Sequence, residues 1–144
     1  MKMVFALAAL HGMFINFGDT ANAFQQSPPP EKLCYIAVDE AYHCYGECLI
    51  VGEHVLPLCQ SLQGHPEAGA SFEKLINSLL LDGLGLKNIT HEKNLYSGEI
   101  AGKRVLVCCQ IDNYAIASTD PAASAELFCL INARITTDDL GMGT

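Results

Sequence analysis

The sequence predicts an α+β domain in which helix packs on a twisted antiparallel β-sheet, stapled by disulfides. Three observations carry that expectation. Apolar stripes at helical spacing occupy the middle of the chain, short apolar runs separated by turn signals fill its last third, and seven cysteines follow a leader-like N-terminus. Helices first and consecutive strands later suit a sheet with helix on one face.

The first element is read as a secretory signal peptide over residues 1–23. Lys2 supplies a single positive charge, apolar runs follow at Met3 to Leu10 and Met13 to Phe17, and Ala21-Asn22-Ala23 has the small-x-small form of a cleavage site. His11, Gly12 and Asn16 interrupt the apolar stretch, which falls short of the roughly 20 residues a membrane-spanning helix needs. Loss of the leader removes one basic and one acidic residue, Lys2 and Asp19, so the net charge stays at −8. An acidic chain lacks the broad electrostatic footprint of a nucleic-acid-binding protein. Secretion would make disulfides the default state of most cysteines, although seven is odd and leaves at least one thiol over.

Residues 24–32, with Pro28, Pro29 and Pro30, read as an extended tether. A single domain is expected over residues 33–135. Leu33 to Val38 alternates as a first strand, and a cysteine-rich loop or hairpin follows. Val55, Leu58, Cys59 and Leu62 share one face at helical spacing, with Gly64 as the stop. In a second helix, Ser71 is the expected N-cap, Phe72, Leu75, Ile76, Leu79 and Leu80 form the stripe, and Gly83 ends the element. Strands are expected at Arg104 to Ile111, Tyr114 to Ser118 and Ala125 to Ile135, with a turn at Asp112-Asn113 and a loop around Asp120-Pro121. On a strand, Cys108 and Cys109 must point to opposite faces, so at most one is expected in the core. The acidic tail, residues 136–144, is expected to be mobile.

Two signatures carry a resemblance: YHCYGEC at Tyr42 to Cys48, and YSGEIAGKRVLV at Tyr96 to Val107, followed by Cys129. Together they resemble the small extracellular guanyl-specific ribonucleases of fungi, over all but Gly64 to Asn94. The resemblance implies a disulfide from Cys44 to Cys129. The family's second bridge has no counterpart at Glu40, which makes Cys34 the substitute partner of Cys48; Cys59, Cys108 and Cys109 are left unassigned. Those enzymes cleave RNA with a carboxylate base, a histidine acid and an arginine at the phosphate, which requires proton carriers ionisable near neutral pH. Arg104 matches the arginine. Ser118 stands at the position of the acid and cannot replace it, Leu86 or Lys87 falls where the base belongs, and His65-Pro66-Glu67 keeps only the central proline of a further motif.

No matched catalytic residue other than Arg104 remains. The resemblance therefore implies a secreted, catalytically inactive ribonuclease-like effector, similar to those of powdery mildew fungi, which binds host protein and/or host RNA during infection of a plant, any RNA contact being weak and salt-dependent. Lys87, Lys93, Lys103, Arg104 and His91 are the candidate phosphate contacts, against a reading in which they are a solvated loop. The alternatives are an active endoribonuclease whose acid and base are rebuilt from His54, His65, Glu67, His91 or Glu92, and a disulfide-stapled secreted inhibitor or adhesion module on another fold. Asn88-Ile89-Thr90 is a glycosylation sequon. No cofactor is expected, and no metal, since His43, Cys44 and Cys48 lack a second matched pair of ligands. The protein is expected to be monomeric and to make no membrane contact.

Overall fold

A computed structural model describes residues 2–39, 49–89 and 91–143. In chain order the elements are α1 (Lys2–His11), β1 (Phe14–Thr20), a 3₁₀ turn (Ala23–Gln26), β2 (Tyr35–Ala37), β3 (Val55–Pro57), α2 (Ala68–Asn77), a π-helical turn (Ser78–Gly83), β4 (Lys87–Ile89), β5 (Glu92–Ile100), β6 (Lys103–Gln110), β7 (Asn113–Ser118), α3 (Pro121–Asn132) and β8 (Thr137–Met142). Six strands form one antiparallel sheet in the order β4-β5-β6-β7-β1-β8, and β2 and β3 form a separate ribbon. The α+β class holds.

Strand alternation divides the core in two. Tyr96, Val105, Val107, Cys109, Tyr114 and Ile116 point to the face covered by α2, the π-helical turn and α3. Leu95, Leu106, Cys108, Ala115 and Ala117 point to the opposite face, where α1 packs through Val4 and Ala8. Fully burying a residue such as Leu127 or Ile131 of α3 contributes about 1.5–3 kcal/mol, so the two-helix face supplies most of the packing energy. Both adjacent cysteines are buried, one in each core, which corrects the expectation that only one could be. The alternation was right; cover on both faces was not foreseen.

Residues 2–20, read as a leader, are α1 and β1, and β1 pairs with β7 on one side and β8 on the other. Gly12, at φ 60°, turns the chain between them. Within FINFGDT, Asn16, Gly18 and Thr20 are buried while Ile15 and Phe17 pack toward α1. At Gly18 a Cβ would stand 2.3 Å from the ring of Phe128 in α3, so glycine lets that helix approach. Cleavage after Ala23 would remove an interior strand.

The expected tether is also packed. Phe24 meets Phe72 edge-on at 6.4 Å, Ser27 is buried, and the carbonyl of Pro28 accepts from Ser61 Oγ at 2.7 Å. The first strand is confirmed only as β2, in the ribbon. Val55 to Leu62 is not a helix: Val55, Leu56 and Pro57 pair with Ala37, Ile36 and Tyr35 as β3, where a β-branched residue and a proline in a three-residue strand suit extended backbone. The Ser71 helix exists but begins earlier, at Ala68, with Ser71 inside it. Its stripe continues through the π-helical turn to Gly83, burying Phe72, Ile76, Leu79 and Leu80.

Ala125 to Ile135 was expected to be a strand and is mostly α3. Asp120 caps the helix by accepting the Ala122 N–H at 3.0 Å, Pro121 occupies the first turn, and Ala123, Ser124, Leu127, Phe128 and Ile131 fall on one buried face. The tail is not free: β8 pairs with β1 from Thr137↔Thr20 to Met142↔Asn16, with a register shift. Among the described residues no helix is long and apolar enough to cross a membrane.

Candidate functional site

The site is built on the β5–β6 hairpin. Ala101 and Gly102, at φ 50° and 73°, form the two-residue turn that sets Ile100 opposite Lys103 and Glu99 opposite Arg104. Arg104 precedes Leu106 and Cys108 on alternating positions and therefore faces α1, which stops short of this end of the sheet. Lys87 on β4 is paired with Ser97 on β5, and through it with Leu106, bringing a second cation to the same face. His11, the last residue of α1, closes the far wall.

The result is an open groove of about 450 Å³ lined by His11, Lys87, Ser97, Glu99 and Arg104 over apolar Leu7 and Leu106. Two cations, an imidazole, a hydroxyl and one carboxylate share it. A bidentate guanidinium with a lysine nearby suits a phosphate or carboxylate. His11 and Glu99 were missed by the sequence reading. His11 lay in the discarded leader, whereas Glu99 was legible, because a two-residue Ala-Gly turn places the residues flanking Ile100 and Lys103 opposite each other.

The remaining candidates separate. His91 and Lys93 line another depression with Glu73, Asn77, Asn88 and Glu92. Lys103 lies 3.9 Å from Asp120, the cap of α3. The five-residue basic patch is thus three separate places. Ser118 is fully buried on the α3 side, its hydroxyl donating to the Asp120 carbonyl at 2.6 Å and lying 2.7 Å from Ser124 Oγ. Leu86 is buried in the same core, where its Cδ2 would stand 2.6 Å from a Cβ on Gly98. His54 Nδ1 accepts from the Ile50 N–H at 2.9 Å, and His65 lies 3.5 Å from Cys34. Neither lines the Arg104 groove, and nor do Glu67, His91 and Glu92.

On the α2 face, Tyr96 donates to Asn77 Oδ1 at 2.9 Å, and burial pushes its phenol up to about 12. Burial likewise holds the Cys109 thiol protonated up to about 12, with Cys108 beside it adding to the shift, and raises Tyr114 further. Such a thiol packs rather than reacts. Asn88 Nδ2 donates to the Lys93 carbonyl at 2.8 Å, and Thr90 of its sequon lies outside the described residues.

Cys34, Cys59, Cys108, Cys109 and Cys129 are free thiols. Each expected bridge has one partner outside the described residues, Cys44 for Cys129 and Cys48 for Cys34, and no disulfide occurs among the described ones. Among those residues no group of three or more histidine, cysteine or acidic side chains is arranged to hold a metal, and His43, Cys44 and Cys48 lie outside them.

No family model matches the chain, and no curated protein and no solved structure matches it either.

Proposed function

We propose that this protein is a non-catalytic binding protein that engages an anionic group of a macromolecular partner through the groove at Arg104. One observation carries the reading: the acid position, Ser118, is buried on the opposite face of the sheet from Arg104, and of the two residues at the base position only Lys87, which is not a carboxylate, lines the Arg104 groove. Arg104 faces α1, whereas Ser118 and Leu86 are buried on the side of α2 and α3. A phosphate held at Arg104 cannot be reached from either. The resemblance to inactive ribonuclease-like effectors supplies the narrower form of the proposal, a host protein as partner with weak contacts to RNA backbone.

With a net charge of −8, RNA binding depends on the local cations alone, so it is weak and salt-dependent. Titration with single-stranded RNA at low and high salt tests this. Wild type binds only at low salt, and Arg104→Ala and Lys87→Ala each reduce the slope of log affinity against log salt by about 1. Unchanged binding in the double variant would remove the groove from the account.

A second reading has one observation in its favour: His11 and Glu99 line the same groove as Arg104, so an acid and a base are present for an endoribonuclease with a rebuilt site. An RNA cleavage assay decides it. Turnover that disappears in Arg104→Ala and in His11→Ala favours the enzyme; absence of turnover in wild type favours the binding protein. Secretion and a role in infection rest on the resemblance and the leader-like N-terminus. Removal of residues 1–23 and the fold with β1 in its sheet are mutually exclusive, and the intact mass of the protein from its source distinguishes them.

A further inference from the structure

Away from the groove, the ribbon and the segment before α2 bring together a nucleophile and an imidazole. Cys34 precedes β2, and its carbonyl accepts the Leu58 N–H at 2.9 Å, extending the pairing of β2 with β3. His65 is fixed two residues before the cap of α2: its N–H donates to the Leu62 carbonyl and its carbonyl accepts from the Ala68 N–H, both at 3.0 Å. Between them Cys34 Sγ lies 3.5 Å from His65 Nε2, and both side chains are half-buried.

The other ring nitrogen decides what the pair can do. His65 Nδ1 accepts the Glu67 N–H at 3.2 Å, so its lone pair is occupied and a neutral ring carries its proton on Nε2. That proton points at the sulfur. In a cysteine hydrolase the imidazole withdraws the thiol proton through an unprotonated nitrogen. Here the nitrogen at the sulfur is a donor, an arrangement that orients the sulfur without acting as its base.

We propose that Cys34 is a reactive thiol that exchanges with small disulfides, with His65 as the residue that positions it. The Cys34 proton leaves to solvent, the sulfur anion attacks one sulfur of the incoming disulfide, and a new S–S bond forms as the old one breaks. The other half departs as a thiolate. Cys34 is thereby oxidised and the departing half reduced, with no further oxidant.

The full-length protein, incubated with oxidised glutathione at neutral pH and mapped by mass spectrometry, tests this. Cys59 and Cys129, both exposed, report what exposure alone gives, and buried Cys108 and Cys109 report loss of folding. Cys34 is expected to form the mixed disulfide fastest, and His65→Ala to slow it about tenfold with Cys59 and Cys129 unchanged. His65→Gln, which keeps an N–H donor, restores part of the rate, a response that mere packing would not give. Cys34 reacting no faster than Cys129, equal rates with and without His65 in a folded protein, or Cys34 recovered in a bond to Cys48 before any oxidant is added would each overturn the proposal.

Discussion

The two faces of the sheet are built from the same strands and end up with different cover. Along β7, Tyr114 and Ile116 fill the face under α2 and α3, while Ala115 and Ala117 let α1 lie close on the other. The first face lies under two helices and the π-helical turn and holds large rings and branched chains. The second has one ten-residue helix for cover, and the uncovered end over β4, β5 and β6 is the groove. The larger core and the groove thus fall on opposite sides of one sheet, and a change on one side can be read with little effect on the other.

The largest test removes the element both faces share. A chain lacking residues 1–23 loses β1 from between β7 and β8 together with α1, and should show no cooperative thermal transition by circular dichroism. A melt like that of the full chain would mean that the leader reading is correct and the two-faced architecture is not. Next, Ile116→Ala on the fully covered face should cost about 3–4 kcal/mol in urea unfolding, and Leu106→Ala, at the groove, about 2 kcal/mol because solvent can fill the space. Equal losses would remove the distinction between the faces.

Alkaline pH acts on the covered face through Tyr96, Cys109 and Tyr114. All three have folded-state values raised by burial, so the stability they contribute is complete below their ordinary values near 9 to 10 and is lost as pH rises toward about 12. Urea midpoints should fall between pH 9 and 11; midpoints that stay level across that range would show the face to be open. The smallest effect concerns Ile111, a β-branched residue held at φ 57° in the β6–β7 turn. Ile111→Asn should raise stability by about 1 kcal/mol in the same unfolding experiment. If it lowers stability, the exposed side chain is packing against something beside the turn.

Much of the fold was written locally. The Phe72-to-Leu80 stripe, the β6 and β7 runs and the opposition of Cys108 to Cys109 follow from period alone. Asp120-Pro121 was an equally local signal, a cap followed by a first-turn proline, and was read as a loop because Leu127 to Ile131 is also a plausible buried strand. The groove was half legible. Arg104 and Lys87 were both named as phosphate contacts, and Glu99 follows from the hairpin turn, but His11 comes from α1, whose place on the sheet no local pattern names.

By itself the sequence determined which residues alternate and which stripe, because those periods are properties of the backbone. Only the tertiary structure placed FINFGDT between β7 and β8, where it satisfies the N–H and C=O groups of both strand edges; no local pattern names partners so distant in sequence.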